Sequence, residues 1–164
     1  MKSMDTVKST LKFSLKECDF HLEKMNLAYK SLEDVRPFHE DNFPPVDEFI
    51  SAHLDQFLFR FIKMQDSIAK RLLPSLYQIL EDSQEPKPIL DILNLLEKLG
   101  ILESVDTWQY FRELRNNLVH DYPESRAQNI INLNVFFKNG RTLHLYIQVL
   151  KLSSSAAQTR QPEV

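Results

Sequence analysis

The sequence is poor in the residues that build tight turns, disulfides and metal sites. It contains 2 glycines and 1 cysteine among 164 residues. So little glycine disfavours turn-rich all-β folds and any glycine-rich phosphate loop, and the lone Cys18 excludes an intramolecular disulfide. Neither a CxxC nor an HExxH spacing occurs. We therefore expect no metal site, no other cofactor, and chemistry that needs no metal.

Long apolar runs and an excess of positive charge are also missing. No run reaches the roughly 18 apolar residues of a membrane span, and the start Met-Lys-Ser-Met-Asp lacks the apolar stretch of a secretory signal. We expect a cytoplasmic protein with no membrane partner. The formal net charge is -3, so any contact with RNA must come from a local patch made by folding or by dimerisation.

Leucine and phenylalanine, in contrast, are frequent and recur at helical spacing. They predict one all-α domain over residues 1–152, an up-and-down bundle of about five helices, and a disordered tail over residues 153–164. The prolines between Val35 and Val46 predict an extended connection between two antiparallel helices. The predicted helices run from about Asp5 to Asp34, from Asp47 through Pro74 to Leu80, from Ile89 to Leu99, from Ser104 to Tyr122, and from Ile130 to Leu152.

Each helix has a row of residues that we expect to face the core. Gly100 is predicted to terminate the third helix in a left-handed conformation. The rows are Leu11, Leu15, Leu22, Met25 and Leu32; then Phe49, His53, Phe57 and Phe61; then Leu90, Leu93, Leu96 and Leu99; then Trp108, Phe111, Leu114 and Leu118.

Two further segments admit two interpretations each. Asn139-Gly140 either breaks the last helix or forms a hairpin turn, and we favour the helix because an isolated hairpin is only marginally stable. Arg60, Gln65 and Asp66 on the second helix either face the Arg115 region, where they would position phosphate or Arg115, or form a solvated charged face, which is the commoner arrangement.

The most informative stretch is Arg115 to Tyr122, at the end of the predicted fourth helix. Arg112, Asn116 and His120 share one helical face, and Arg115 lies one step around it. An arginine supplies a permanent planar charge for phosphate, and a histidine moves a proton near neutral pH. The set therefore suits metal-free cleavage of RNA by attack of the ribose 2′-hydroxyl. The motif holds one imidazole, so such cleavage needs either two copies of the motif facing one cleft or a single histidine that does part of the acid–base work. The first alternative gives a symmetric dimer a mechanistic purpose.

The pattern Arg-Asn-x-Leu-x-His-x-Tyr, at the end of the penultimate helix of a small all-α protein, resembles the HEPN superfamily and in particular the HepT-like proteins. The resemblance runs from about Asp47 to Leu152. It includes a phenylalanine-rich second helix, the Leu-Gly-Ile junction at Leu99 to Ile101, the motif helix and a closing helix.

The resemblance implies a homodimer with the motif at its interface, acting on RNA as the metal-independent ribonuclease toxin of a toxin–antitoxin pair. Arg115 and His120 would be the catalytic pair, supported by Asn116 as the polar residue after the arginine. Tyr122 would be the tyrosine that a cognate minimal nucleotidyltransferase modifies with adenylate to silence the toxin. Asp121 and the ending Tyr122-Pro123-Glu124 resemble a HepT-like subgroup in which some members look like substrate-binding subunits of nucleotidyltransferases. A non-catalytic partner subunit of a nucleotidyltransferase therefore stays open as the alternative.

Overall fold

Helices make up every element of the computed structural model, which describes residues 3–119 and 126–138 and the single positions 148, 151, 152 and 155. A π-helical turn, Ile68–Leu72, joins the second and third helices, so the described chain forms five helical rods. The all-α prediction is confirmed, whereas the likeness to HEPN proteins and the dimer stay predictions. The helices are α1 (Met4–Ser31), α2 (Glu48–Ser67), α3 (Leu73–Leu80), α4 (Ile89–Lys98), α5 (Val105–Val119) and α6 (Arg126–Lys138).

Helices α1 and α2 pack against each other in opposite directions, as predicted. Tyr29, near the end of α1, has its ring centroid 6.3 Å from that of Phe57 in the first half of α2. Glu17, three turns earlier in α1, accepts a hydrogen bond from Ser67 at the end of α2 at 2.7 Å. The predicted cap of α2 is also present, because Asp47 Oδ1 accepts the backbone N–H of Ile50 at 2.9 Å.

The π-helical turn explains how the second rod passes Pro74. Proline has no N–H and crowds the carbonyl four residues before it, so it breaks a regular helix. Here the N–H of Leu73 donates to the carbonyl of Ile68, five residues back, and Pro74 lies in the first turn of α3. The helix therefore restarts at Pro74 without leaving the rod.

An aromatic cluster joins α1, α2 and α6. The ring centroid of Phe57 lies 5.3 Å from that of Phe136 and 5.0 Å from that of Phe137. Phe61, one turn further along α2, lies 4.7 Å from Phe136 with its ring edge-on. Such arrangements add to the burial energy of each ring. The cluster therefore fixes the side of α2 that faces inward.

The proline-containing connection between α1 and α2 is more than a linker. Phe38 is fully buried, and Asn134 of α6 holds its backbone at both polar groups. Asn134 Oδ1 accepts the N–H of Phe38 at 2.8 Å, and Asn134 Nδ2 donates to its carbonyl at 2.7 Å. Periodicity could not reveal this contact, because the two residues are 96 positions apart.

The predicted buried row of α2 is wrong at its first member. Phe57 and Phe61 are fully buried, but Phe49 is 60 % exposed and His53 is only partly buried. The reason is that Tyr29, close to the end of α1, already lies opposite Phe57, so the first two turns of α2 extend past α1. His53 Nδ1 is 2.7 Å from the carbonyl of Phe49, which satisfies it locally.

The predicted core row of α4 is wrong at both ends. Leu90 and Leu99 are exposed, and the buried residues are Ile92, Leu93 and Leu96. At 100° per residue, Leu90 points about a third of a turn away from the centre of that buried face. Gly100 has φ +69°, so the predicted left-handed helix terminator is confirmed.

Helix α5 begins within one residue of its predicted start, but Leu118, the last member of its predicted core row, is only partly buried. Helix α6 begins at Arg126, four residues before the predicted Ile130. Ser104 Oγ accepts the N–H of Thr107 at 3.3 Å, and Trp108, Phe111 and Leu114 are buried. A hairpin turning at Asn139-Gly140 would need residues 133–137 as its first strand. This segment is helical in α6, which excludes the hairpin. Asn139-Gly140 and, apart from position 155, the predicted tail 153–164 lie outside the described residues. None of the described helices has the length and apolarity required to cross a bilayer.

A polar cluster sits between α1 and α2. His21 is 7 % exposed, with Nδ1 3.3 Å from Arg60 Nη1 and Nε2 3.9 Å from Glu17 Oε1. Burial lowers the pKa of His21 below its ordinary value of 6.5; Glu17 opposes that shift and Arg60 reinforces it. Burial also acts to raise the pKa of Glu17, but hydrogen bonds from Ser67 and Arg71 and the charge of Arg71 hold it below 4.5.

We predict that the free energy of unfolding decreases as the pH falls below the ordinary histidine pKa of about 6.5. The unfolded chain takes up a proton on His21 at that pH, whereas the folded chain does so only at a lower pH, so protonation favours unfolding. Urea denaturation at about pH 7.5 and about pH 5.5 measures the effect. His21→Gln should remove this part of the pH dependence, and His39→Gln, at an exposed histidine, should retain it. An unchanged dependence in His21→Gln would contradict the assignment.

Candidate functional site

A cleft of about 390 Å³ opens between α5 and the junction of α2 with the π-helical turn. It contains Arg112, Arg115 and Asn116 of α5, and the start of α4 closes one side. The lining residues are Gln65, Asp66, Ala69, Lys70, Ile89, Trp108, Arg112, Arg115 and Asn116.

Arg115 is held in the cleft by two neighbours. Its Nη2 donates to Asp66 Oδ1 at 3.2 Å, and its Nη1 donates to Asn116 Oδ1 at 3.0 Å. The other carboxylate oxygen of Asp66 lies 3.6 Å from Lys70 Nζ. One carboxylate therefore bridges a guanidinium from α5 and an ammonium from the π-helical turn.

Helical spacing explains why these side chains meet. Asp66 and Lys70 are four residues apart and so project from the same side of their rod. Arg112, Arg115 and Asn116 similarly share one side of α5. Trp108, one turn before Arg112, is 2 % exposed and anchors that helix in the core. The buried indole thus fixes the rotation of α5 that turns Arg115 toward Asp66.

The cleft carries more positive than negative charge. Its lining includes three cationic side chains, Lys70, Arg112 and Arg115, and one carboxylate, Asp66. A guanidinium has five N–H donors, and Asp66 and Asn116 each accept one from Arg115. Arg115 Nε and the amide nitrogen of Gln65 are buried without a hydrogen-bond acceptor, so the donors that remain for a ligand are the N–H groups of the two terminal guanidinium nitrogens. The cleft therefore offers charge and donor groups for an anion with several oxygen atoms, such as a phosphate.

Among residues 3–119, 126–138 and the isolated described positions, no three His, Cys, Asp or Glu side chains come together in a way that could hold a metal ion. The carboxylate of Asp66 pairs with Arg115 and Lys70.

The structure brings together part of the predicted site. Arg112, Arg115 and Asn116 line one cleft, as the helical face predicts. His120 and Tyr122 lie outside the described residues. His120 follows directly after Val119, the last residue of α5, so the described site ends one position before the predicted proton-transfer residue.

The interpretation of Arg60, Gln65 and Asp66 as a solvated face is wrong. Asp66 pairs with Arg115, and Gln65 is buried against the cleft with 5 % of its surface exposed. Arg60 faces α1 and lies beside His21. Sequence reasoning missed Lys70, although the acid–base pair at positions 66 and 70 was a signal that these side chains share one side of the helix.

A second cleft, of about 480 Å³, lies on the other side of α5. It is lined mainly by apolar groups, including Pro44, Leu54, Leu58 and Leu118. Arg126 borders it and donates to the backbone carbonyls of the α1–α2 connection, so its charge serves to hold that loop. Arg126 therefore does not extend the positive rim of the first cleft.

Comparison of the chain with protein-family models, with curated proteins and with solved structures finds no match in any of the three. The functional argument therefore depends on the motif and on the geometry of the cleft.

The pairing of Asp66 with Arg115 can be tested by a double-mutant cycle with Asp66→Asn and Arg115→Gln. Both groups are partly exposed, so we predict a coupling energy of about 0.5–1 kcal/mol, which urea denaturation measures. The control cycle combines Arg115→Gln with Asp55→Asn, at an exposed acid of the same helix, and should give a coupling near zero. Equal coupling in the two cycles would show that the ion pair does not form.

Proposed function

We propose that the protein is a HepT-like, metal-independent endoribonuclease of the HEPN superfamily, acting in the cytoplasm as the toxin of a toxin–antitoxin pair. The observation that carries the proposal is the position and orientation of Arg115. It lies in an open, positively charged cleft, oriented by Asp66, with donor groups left for a phosphate. The motif that begins at Arg115 is the one that the sequence resemblance assigns to catalysis.

In the proposed reaction the scissile phosphate of an RNA strand enters the cleft. The ribose 2′-oxygen attacks the adjacent phosphorus, the bond from phosphorus to the 5′-oxygen breaks, and the products are a 2′,3′-cyclic phosphate and a 5′-hydroxyl. Arg115 offsets the charge that builds up on the non-bridging oxygens. Asp66 acts as a positioning residue, because it touches the guanidinium and not the reacting atoms.

Two proton transfers are needed, one from the attacking 2′-hydroxyl and one to the departing 5′-oxygen. His120 provides one imidazole per chain. We propose that the protein acts as a homodimer in which the second protomer supplies the other imidazole. Symmetric pairing brings two identical motifs to one interface, which satisfies this requirement without a further residue type.

The proposal includes control at Tyr122 by a cognate minimal nucleotidyltransferase. Transfer of adenylate to the phenol oxygen adds a phosphodiester two residues after His120. A group with negative charge near a cleft that is built for phosphate competes with the RNA phosphate for Arg115. Modification would thus silence the enzyme without unfolding it.

We predict that His120→Ala lowers the rate of RNA cleavage by about 100-fold or more, because a positioned general acid–base group contributes on that scale. Growth arrest on expression should disappear with it. Arg115→Gln should have a similar effect on cleavage. His39→Ala, at an exposed histidine that is far from His120 in the sequence, should leave both cleavage and growth arrest unchanged. Cleavage of a fluorescent single-stranded RNA in the presence of a chelator provides the measurement.

Full nuclease activity and toxicity in His120→Ala would overturn the mechanism. A parent protein that neither cuts RNA nor arrests growth, but accepts adenylate from the neighbouring nucleotidyltransferase and loses this in Tyr122→Phe, would instead identify the non-catalytic partner subunit. The parent protein alone therefore distinguishes the two functions: the nuclease cuts RNA and arrests growth, and the partner subunit does neither.

A further inference from the structure

Exposed aromatic rings and cationic side chains lie together where α1 packs against α2, on the solvent side of the buried His21. Phe20 of α1 is 46 % exposed and Phe59 of α2 is 51 % exposed. The guanidinium of Arg60 lies between them, 4.9 Å from the ring centroid of Phe20 and 5.4 Å from that of Phe59. Lys24 Nζ is 5.4 Å from the Phe20 ring, and Lys63 Nζ is 5.5 Å from the Phe59 ring.

We call these five residues, Phe20, Lys24, Phe59, Arg60 and Lys63, the basic aromatic surface. Its acidic neighbours are already engaged: Glu17 is bound by Ser67 and Arg71, and Glu23 lies 3.6 Å from Lys24. Arg60 and Lys63 form no ion pair with an acid in the described part of the chain. A chain with a net charge of -3 therefore concentrates positive charge here.

The pKa of the buried His21 is affected by the positive charges of this surface. The charges of Arg60, Lys63 and Arg71 all act to lower the pKa of His21, in addition to burial, and only Glu17 opposes them. The positive side chains are thus close enough to one another to act on the same buried group. An anionic partner would meet their combined field.

The basic aromatic surface is continuous with the cleft. Phe59, Lys63, Asp66 and Lys70 are separated by steps of four, three and four residues, so they form one stripe along the second rod. Phe59 and Asp66 are seven residues apart, which corresponds to about 10 Å along a helix. A strand that lies on the surface can therefore continue to Arg115.

We propose that the basic aromatic surface binds single-stranded RNA, with bases stacking on Phe20 and Phe59 and phosphates on Arg60 and Lys63. An unpaired strand combines flat aromatic bases with a regular negative charge, and proteins bind it through aromatic rings interleaved with cations. A polyacidic segment without apolar side chains would use only the charge. The direction of the strand toward Arg115 rests on the proposed nuclease function, whereas binding at the surface does not.

A second copy of the chain fits this surface poorly. In a two-fold symmetric contact the same patch lies on both sides of the interface. The cations of one copy would then face the cations of the other, and like charges at close range destabilise a contact. The observed charge therefore favours a polyanion over self-association at this position.

The test is the binding of a fluorescein-labelled 2′-O-methyl oligouridylate, measured by fluorescence anisotropy. The probe has no free 2′-hydroxyl, so it cannot be cut by the proposed reaction. Phe20→Ala combined with Phe59→Ala should weaken binding by about tenfold or more, as expected when a stacking ring is lost. Phe49→Ala is the control, since Phe49 is at least as exposed as Phe20 and Phe59 but lies outside the surface, and it should bind like the parent.

Charge is tested with Lys63→Gln, an exposed position whose substitution should not affect folding. Loss of one phosphate contact should reduce the slope of log affinity against log salt by about 0.7. Poly-L-glutamate, which has charge but no rings, should displace the oligonucleotide only at a large excess of carboxylate over phosphate.

Three results of the binding measurements would each overturn the proposal: unchanged affinity in the double phenylalanine variant, equal losses in that variant and in Phe49→Ala, or displacement by poly-L-glutamate at equal charge. A change of oligomeric state in the double variant, measured by analytical ultracentrifugation, would assign the surface to subunit contact and also overturn it. Repeating the titration in His120→Ala separates the two proposals, because binding should persist there whether or not the parent cuts RNA.

Discussion

The packing of Phe57 against α1 and α6 is the contact on which the rest of the structure depends. Tyr29 approaches this ring from one side, and Phe136 and Phe137 approach it from another. Replacing such a buried ring by alanine typically costs about 3–5 kcal/mol, so the orientation of α2 about its own axis is strongly determined. That orientation places Arg60 toward α1.

The same rotation of α2 turns Asp66 toward α5, where its carboxylate connects two cations from different elements. Ion pairs with this degree of exposure contribute little to stability. Their effect here is geometric, because the planar guanidinium of Arg115 keeps one edge on Asp66 and Asn116 and leaves other donors unused. A permanent charge held in one orientation needs little reorganisation when an anion binds, which is the condition for electrostatic catalysis.

Much of the fold could be predicted from local chemistry. The cap at Asp47, the restart at Pro74 and the left-handed Gly100 each follow from the backbone properties of one residue, and all three are present. The errors at Phe49 and Leu90 have different causes. Phe49 shares a face with buried residues, but the neighbouring helix α1 is too short to cover it, whereas Leu90 lies about a third of a turn from the centre of the buried face of α4. Periodicity alone fixes neither the length of the neighbouring helix nor the exact centre of the covered face.

The candidate site likewise has one part that local sequence determines and one part that depends on tertiary structure. The sequence by itself determined that Arg112, Arg115 and Asn116 share one side of a helix, because residues three and four apart on an α-helix are neighbours. Only the tertiary structure decided that Asp66 and Lys70 complete the cleft and that Arg60 belongs to a different surface. Asp66 lies 49 residues from Arg115, and contacts at such separation depend on how the buried rings set the rotation of each helix. No local rule contains that information.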